Sequence, residues 1–252
     1  MRPELVANAI RFERVTKSFG NHVVLDDMSF DVPRATVFCL LGRSGTGKSV
    51  TLKHAIGLLR PDSGRVWIEG HDVTTLDSRE LSRVRQRMGF LFQHAALFDS
   101  LTIGENVAFP LRRHRPNLSE ADVCRIATEK LQQVGLATVY DTMPAALSGG
   151  MRKRAGLARA MALDPAVLLV DEPSAGLDPI TAAEIDRLLL QLKERNGTTL
   201  LVVTHNIPSA RAISDQLALL HEGKIVVRGA PSEVDRSSHP VARAFMKSQG
   251  AG

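Results

Sequence analysis

An apolar run followed directly by a glycine-rich turn constrains this chain more than any other feature of its sequence. The run Val37–Leu41 (VFCLL) is apolar throughout, which is typical of a strand buried on both faces of a parallel sheet. The segment Gly42–Ser49 (GRSGTGKS) comes next and matches the pattern G-x-x-x-x-G-K-[ST]. A helix is predicted to follow, from about Lys48 to Leu59. A strand, a glycine turn and a helix in this order predict a loop that binds phosphate groups.

The chemistry of this loop depends on backbone N–H groups, one lysine and one hydroxyl. Glycines let the N–H groups close on phosphate oxygens, and the start of the helix adds partial positive charge. Lys48 is expected to reach the β- and γ-phosphates of a bound nucleotide, and Ser49 is expected to ligate Mg²⁺. The predicted cofactor-binding residues of the loop are Gly42, Ser44, Gly45, Thr46, Gly47, Lys48 and Ser49.

Two acidic residues follow a second buried strand. The run Val167–Val170 (VLLV) ends at Asp171 and Glu172, and α/β sheets place their ligands at the carboxyl ends of strands. Asp171 is predicted to hold Mg²⁺ through water, and Glu172 to polarise the attacking water as a general base. Two acids at a strand end are also explained as solvated side chains. The phosphate loop in the same chain favours the catalytic interpretation.

Polar residues also follow two other apolar runs. His205 comes after Leu200–Val203 (LLVV), where it is predicted to contact the γ-phosphate and hold the water in place. Gln93 ends the run GFLFQ, and its amide suits both Mg²⁺ ligation and sensing of the γ-phosphate. A lone histidine is more often structural, and a lone glutamine is an ordinary turn residue. The position of His205 at the end of a third core strand favours a role in the site, whereas Gln93 by itself remains an ordinary turn residue.

A second candidate anion site lies about a hundred residues after the loop. The stretch ALSGGMRKRAGLARAMAL, from Ala146 to Leu163, predicts a helix capped by Ser148. Gly149 and Gly150 would expose N–H groups at the positive end of this helix without side-chain obstruction. Two adjacent glycines weaken a helix, so they indicate that something approaches the backbone closely. A plain capped helix is the alternative interpretation.

The order of these patterns predicts an α/β fold of the P-loop NTPase (RecA-like) class. The chain is interpreted as one domain with a parallel-sheet core, an antiparallel β subdomain and an inserted α-helical subdomain. Within the SAGLDP stretch, Asp178 as a cap and Pro179 at the first helical position need only a structural explanation. The expected boundaries are 9–76 and 165–230 for the core with the β subdomain, 77–164 for the helical subdomain, and 235–252 for a weakly patterned tail.

The composition of the chain argues against several classes of partner and ligand. The chain has 252 residues and a net charge of +5, without a dense basic block interleaved with aromatic residues, so nucleic acid is not an expected partner. Cys39 and Cys124 lie in apolar and helical patterns and are interpreted as core residues, neither a disulfide nor a metal site. No apolar run approaches the roughly 20 residues that cross a bilayer. Any action at a membrane would therefore require another protein.

Six ordered motifs resemble those of the ATP-binding cassette (ABC) ATPases. They are GRSGTGKS, Gln93, LSGGM, VLLVDE, SAGLD and His205, and the likeness extends from about Ile10 to Gly229. Only Met151 departs from the commoner LSGGQ. The resemblance implies ATP and Mg²⁺ as ligands, ATP hydrolysis, and a head-to-tail homodimer. In that dimer Ser148, Gly149 and Gly150 would contact the ATP held by the partner subunit, and Phe19 would stack on adenine.

A narrower resemblance concerns the transported substrate. The segment Leu91–Arg112 (LFQHAALFDSLTIGENVAFPLR) is similar to the corresponding part of MCE-type (Mla-like) phospholipid transporter ATPases, in which Met151 is also typical. This implies a place at the cytoplasmic face of the inner membrane. The implied partners are integral-membrane permease subunits and an MCE-type lipid-binding component. The permease is expected to dock on an apolar patch from Ala95 to Phe98.

Other functions remain as alternatives at this point. The chain has the motifs expected of the ATPase of another importer, for example one for polar amino acids. A soluble ABC ATPase acting on DNA or ribosomes would have long coiled-coil insertions or a duplicated cassette, and neither pattern occurs here. A small-molecule kinase would leave LSGGM without a role.

Overall fold

Two β-sheets organise residues 7–248, the part of the chain that the computed structural model describes. Four strands form an antiparallel sheet: β1 (Asn8–Phe19), β2 (His22–Pro33), β4 (Ser63–Ile68) and β5 (His71–Asp72). Six strands form the second sheet: β3 (Val37–Leu41), β6 (Met88–Leu91), β7 (Val167–Asp171), β8 (Thr199–Thr204), β9 (Gln216–His221) and β10 (Lys224–Gly229). Their orders are β2-β1-β4-β5 and β10-β9-β3-β8-β7-β6.

The six-stranded sheet is parallel except at one edge. β3 pairs in parallel with both β8 and β9, β7 with both β8 and β6, and only β10 runs antiparallel, to β9. In this register Leu41 lies opposite Thr204, Asp171 opposite Val203, and Leu91 opposite Val170. The carboxyl ends of β3, β8, β7 and β6 therefore meet at one edge. The predicted P-loop fold is confirmed.

Nine α-helices lie within the described residues. They are α1 (Lys48–Ala55), α2 (Ser78–Arg85), α3 (Ile103–His114), α4 (Glu120–Gln133), α5 (Gly149–Ala160), α6 (Pro179–Asn196), α7 (Ile207–Ile213), α8 (Pro231–Asp235) and α9 (Pro240–Lys247). Ser119 accepts a hydrogen bond from the Asp122 N–H, and Asp178 accepts from two N–H groups at the start of α6. These caps are the ones that the sequence predicts.

Three local assignments differ from the sequence-based expectation. The helix after the phosphate loop ends at Ala55 instead of Leu59, because Gly57 has a φ of 68° that breaks the helical path. Residues 88–91 form a strand of the parallel sheet, although the segment 77–164 was expected to be helical. The tail contains the amphipathic helix α9, which buries Ala242 and Met246. The first difference has a local cause, whereas the strand and the tail helix depend on tertiary contacts that local patterns do not report.

The parallel sheet is covered on both faces. One face carries the antiparallel sheet, and Phe12, Phe30 and Phe38 stack there with ring centroids 4.6 and 5.1 Å apart. Leu52 of α1 and Val84 of α2 belong to the same core, whereas the core on the other face is formed with helices α3 to α9 and contains the fully buried Cys39. Cys124 is half-buried and accepts a hydrogen bond from the Tyr140 hydroxyl at 3.3 Å. Both cysteines are free thiols, as predicted.

Within residues 7–248, none of the helices combines the length and the apolar character that crossing a bilayer requires.

Candidate functional site

The glycine-rich loop joins β3 to α1 at the carboxyl edge of the parallel sheet. Gly45 and Gly47 have φ values of 82° and 102°, in the left-handed region that favours glycine. A Cβ on Gly47 would also lie 3.0 Å from the Val24 carbonyl oxygen, so a side chain would be crowded. The tip around Ser44 and Gly45 is exposed, which leaves its backbone accessible to a ligand.

Lys48 lies beneath this loop. Its side chain is 6% exposed, and its Nζ donates hydrogen bonds to the carbonyl oxygens of Gly42 at 2.8 Å and Arg43 at 3.0 Å. The same Nζ lies 3.4 Å from Oε1 of Glu172. The loop lysine and the predicted base therefore lie in one site, although 124 positions separate them in sequence.

Oxygen ligands suited to a hard cation lie next to the lysine. The Ser49 hydroxyl donates a 3.2 Å hydrogen bond to Oδ1 of Asp171. Burial raises the pKa of the Asp171 carboxyl, and the Ser49 hydrogen bond opposes the rise. No group of three His, Cys, Asp or Glu side chains within the described ranges forms a metal site by itself. A hydroxyl and one carboxylate fit Mg²⁺, which is typically bound by one or two protein oxygens together with phosphates and water.

Glu172 has the most constrained geometry in the site. Its φ of 47° is unusual for a residue with a side chain. Oε2 accepts hydrogen bonds from the Thr204 hydroxyl at 3.0 Å and from the His205 N–H at 3.3 Å, and it lies 2.9 Å from His205 Nδ1. The glutamate is buried, whereas the His205 side chain is 47% exposed. The structure thus joins the predicted base to the predicted orienting histidine.

Two predicted ligand residues lie at the margin of this cluster. Gln93 follows β6 by two residues, so it extends beyond the same sheet edge as Asp171, and its side chain is exposed. Phe19 ends β1 and is 48% exposed, with Lys17 Nζ 5.6 Å from its ring centroid. Val24 of the same hairpin contacts Gly47, which brings this hairpin against the phosphate loop. The described contacts join neither Gln93 nor Phe19 directly to Lys48.

The second candidate anion site lies at the start of α5. Ser148 caps the helix by accepting a hydrogen bond from the Met151 N–H at 3.2 Å. Ser148 and Gly149 are exposed. Within residues 7–248, no hydrogen bond or ion pair of this helix start reaches the phosphate loop of the same chain. An anion bound here would come from outside the subunit.

The two glycines at the start of α5 have different surroundings. A Cβ on Gly150 would lie 2.5 Å from Cγ2 of Thr181, in the first turn of α6. A Cβ on Gly149 would meet only Leu177, at an ordinary 3.7 Å. The close approach that the sequence predicts at Gly150 is therefore made by the chain itself. Gly149 is exposed and Gly150 is buried.

Three side chains in and around the site were not singled out from the sequence. Thr204 donates to the Glu172 carboxylate, Lys153 donates to the Glu172 main chain at 2.7 Å, and Arg159 donates to the carbonyl oxygens of Ala95 and Ala96. Lys153 is buried, and burial lowers its pKa to about 8. The sequence contained one sign of the role of Lys153: its spacing of three and four residues from Gly150 and Leu157 places a charged side chain on the buried face of α5.

The fold and this cluster define a nucleotide hydrolase of the P-loop class. Residues 25–175 match the family model described as ABC transporter. A probable ribonucleotide transport ATP-binding protein of Mycobacterium leprae is 43% identical over 97% of this chain and 70% of its own length. The intermembrane phospholipid transport ATP-binding protein MlaF of Haemophilus influenzae is 37% identical over 97% and 92%. A methionine import ATP-binding protein of Rhizobium johnstonii is 41% identical over 87% and 60%.

Solved structures agree with these sequence matches. The ATP-binding cassette MJ0796, solved as a dimer in a post-hydrolysis state with ADP and Pi, has a TM-score of 0.82 at 32% identity, over 88% of this chain and 98% of that one. The cbiO1 protein of Clostridium perfringens has a TM-score of 0.84 at 25% identity, over 96% of both chains. The chain belongs to the ABC transporter family and is an ATP-binding, ATP-hydrolysing subunit.

Proposed function

We propose that Glu172 is the general base of ATP hydrolysis and that His205 holds its carboxylate toward the attacking water. The observation that carries this assignment is the 2.9 Å contact between His205 Nδ1 and Glu172 Oε2, next to Lys48. Lys48 would neutralise charge on the β- and γ-phosphates. Ser49, Asp171 and Gln93 would hold Mg²⁺, which supplies further neutralisation of phosphate charge. Phe19 offers an exposed ring face for adenine.

We further propose that two copies of this chain pair head to tail around ATP. The exposed helix start at Ser148 and Gly149 has free N–H groups and no anion from its own chain. A partner's ATP at this position would be held by both subunits. ATP binding would then stabilise the dimer, and hydrolysis would remove contacts that stabilise it. The dimeric MJ0796 cassette supports this arrangement.

The permease subunits are proposed to dock on the helical part, at the cytoplasmic face of the inner membrane. Ala95 is buried, so the expected patch from Ala95 to Phe98 is not a continuous surface. Exposed apolar residues around this segment include Phe92, Phe98 and Phe109, and the rings of the last two lie 4.9 Å apart. Arg159 of α5 donates to Ala96 at 2.7 Å, so this surface is joined to the helix that begins at Gly149. A permease helix docked on this surface would therefore be linked to α5 through Arg159.

Phospholipid or another hydrophobic compound is the proposed substrate, moved by a permease with an MCE-type lipid-binding component. The Haemophilus phospholipid transport protein supports this assignment because the match covers 92% of its length as well as 97% of this chain. The methionine import relatives match over 60–71% of theirs. The resemblance of Leu91–Arg112 to MCE-type ATPases, in the segment next to the docking surface, points to the same kind of permease.

Another substrate class is the second candidate. Relatives named for ribonucleotide transport and methionine import reach 43% and 41% identity, so a polar substrate has support of its own. Purification of the tagged full chain from membranes, with its co-purifying permease, would allow bound compounds to be extracted and identified. Phospholipid in the complex and ATP-dependent lipid movement in vesicles would support the proposal. A bound amino acid or nucleotide, with no lipid movement, would contradict it.

The catalytic assignment has its own test. The substitution Glu172→Gln removes the negative charge and keeps the shape of the side chain. We expect it to stop turnover, lowering kcat by about 10²-fold or more, and to trap an ATP-bound dimer. Turnover can be followed by phosphate release, and the dimer by size-exclusion chromatography with ATP. Turnover at the unmodified rate would remove Glu172 from this role.

A further inference from the structure

Lys153 makes an unusual contact for a buried lysine. It lies on α5 one turn after Gly149, and its side chain is 5% exposed. Within the described residues, no carboxylate oxygen lies within ion-pair distance of its Nζ. The Nζ instead donates a 2.7 Å hydrogen bond to the main-chain carbonyl oxygen of Glu172. Burying an ammonium group without a carboxylate partner is costly, so its hydrogen bond to this carbonyl indicates that the carbonyl has to be held in place.

The backbone of Glu172 needs such support. Its φ of 47° lies in a region that residues with a side chain occupy only when their surroundings hold them there. The Glu172 N–H donates to the Val203 carbonyl oxygen at 2.9 Å, which fixes one side of the residue to β8. The carbonyl on the other side accepts from Lys153 and, at 3.2 Å, from the Ala175 N–H.

The direction of the carboxylate depends on this backbone. Oε2 reaches His205 at 2.9 Å and Oε1 lies 3.4 Å from Lys48, so both oxygens already have their partners in the unusual conformation. With the Glu172 N–H fixed to β8, rotation about the N–Cα bond would move the Cβ and the carbonyl carbon together, so holding the carbonyl also holds the carboxylate toward both partners. Misplacement of a catalytic group by about 1 Å can cost about 10²-fold in rate.

We propose that Lys153 is a positioning residue that holds the base Glu172 in its active direction, and that it acts from the helix whose start contacts the ATP of the partner subunit. The proposal rests on the roles proposed above for Glu172 and for the Gly149 end of α5. Each α5 helix would then join two ATP sites: its start touches the ATP of the partner, and Lys153, one turn later, supports the base of its own subunit.

Mixed dimers separate this role from simple support of the helix. Two differently tagged full-length chains, produced with their co-purifying membrane proteins, are isolated as mixed dimers by two-step purification. In the first dimer Lys153→Met lies on the chain with intact Glu172, and the other chain carries Glu172→Gln. In the second dimer both changes lie on the same chain, and the other chain is unmodified. Dimers with a single Glu172→Gln chain are the reference.

We expect kcat of the first dimer to be at least about tenfold below the reference, with the KM for MgATP within about twofold. The second dimer should match the reference, because its active site uses the Glu172 of the unmodified chain. Lys130→Met is the matched control, since Lys130 is also buried but pairs with Asp164. Placed in the first dimer instead of Lys153→Met, it should give the rate of the reference dimer.

Three results would overturn the proposal: a slow second dimer with a normal first one, equal losses in both, or no loss in either. If the Lys153→Met chain does not fold, Lys153→Gln replaces it in the same two dimers, with the same expected order of rates. The role of Glu172 as base is tested separately: turnover by a homodimer of Glu172→Gln chains would contradict that role, whatever the result for Lys153.

Discussion

Replacement of Gly150 by alanine gives a direct measure of how tightly α5 packs on α6. The added Cβ would lie 2.5 Å from Cγ2 of Thr181, well inside van der Waals contact. Thr181 cannot easily turn aside, because its hydroxyl donates a 2.6 Å hydrogen bond to the capping residue Asp178. Overpacking of this kind costs about 1–3 kcal/mol, while alanine recovers up to about 1 kcal/mol of helix propensity.

We therefore expect Gly150→Ala to lower the free energy of unfolding by about 1–2 kcal/mol, which corresponds to a Tm lower by about 2–8 °C for a chain of this size. Urea denaturation followed by circular dichroism would measure it. Thr181→Ser removes Cγ2 and keeps the hydroxyl, so the same Gly150→Ala change should cost less than about 0.5 kcal/mol in that background. Gly149→Ala is the control for position, because its Cβ would meet only Leu177 at 3.7 Å.

The reasoning would be refuted if Gly150→Ala were as stable as the unmodified chain. It would also be refuted if the loss persisted unchanged in the Thr181→Ser background. In either case the close approach between the two helices would not be the reason for glycine at this position.

Two further predictions concern the exposed helix start and a buried acid. Ser148→Arg should abolish ATP-dependent dimerisation and turnover while leaving nucleotide affinity of the monomer unchanged in a fluorescent-nucleotide titration; weaker binding by the monomer would contradict the contact in trans. Burial raises the pKa of the Asp186 carboxyl, so folding disfavours its ionised form. The free energy of unfolding therefore falls as pH rises from the ordinary pKa of aspartate through the raised pKa. Asp186→Asn, which keeps an oxygen for the Ser209 hydroxyl at 2.6 Å, should raise stability at pH 7.5 but not at pH 3, and an equal effect at both pH values would exclude the titration of Asp186 as the cause.

Several features of this protein follow from local sequence alone. The strand Val37–Leu41 and the glycine loop after it are adjacent in sequence, and the chemistry of that loop uses main-chain groups and neighbours. The caps at Ser119 and Asp178 are also local, because a capping side chain bonds an N–H group two or three residues away. The acids after β7 were predictable because carboxylates at the end of an apolar strand, in a chain that also has a phosphate loop, indicate a Mg²⁺ ligand and a general base.

Contacts between distant segments were decided only by the tertiary structure. Residues 88–91 are too few to signal a strand, and they form one because β7 offers them an edge to pair with. The same holds for Gly150 against Thr181, for the burial of Ala95, and for the hydrogen bond from Lys153 to the Glu172 backbone. Sequence patterns report which face of an element is apolar, whereas the packing of helices on the sheet decides which atoms meet across 19 or more positions. The contact between Lys153 and Glu172 is therefore visible only in the tertiary structure.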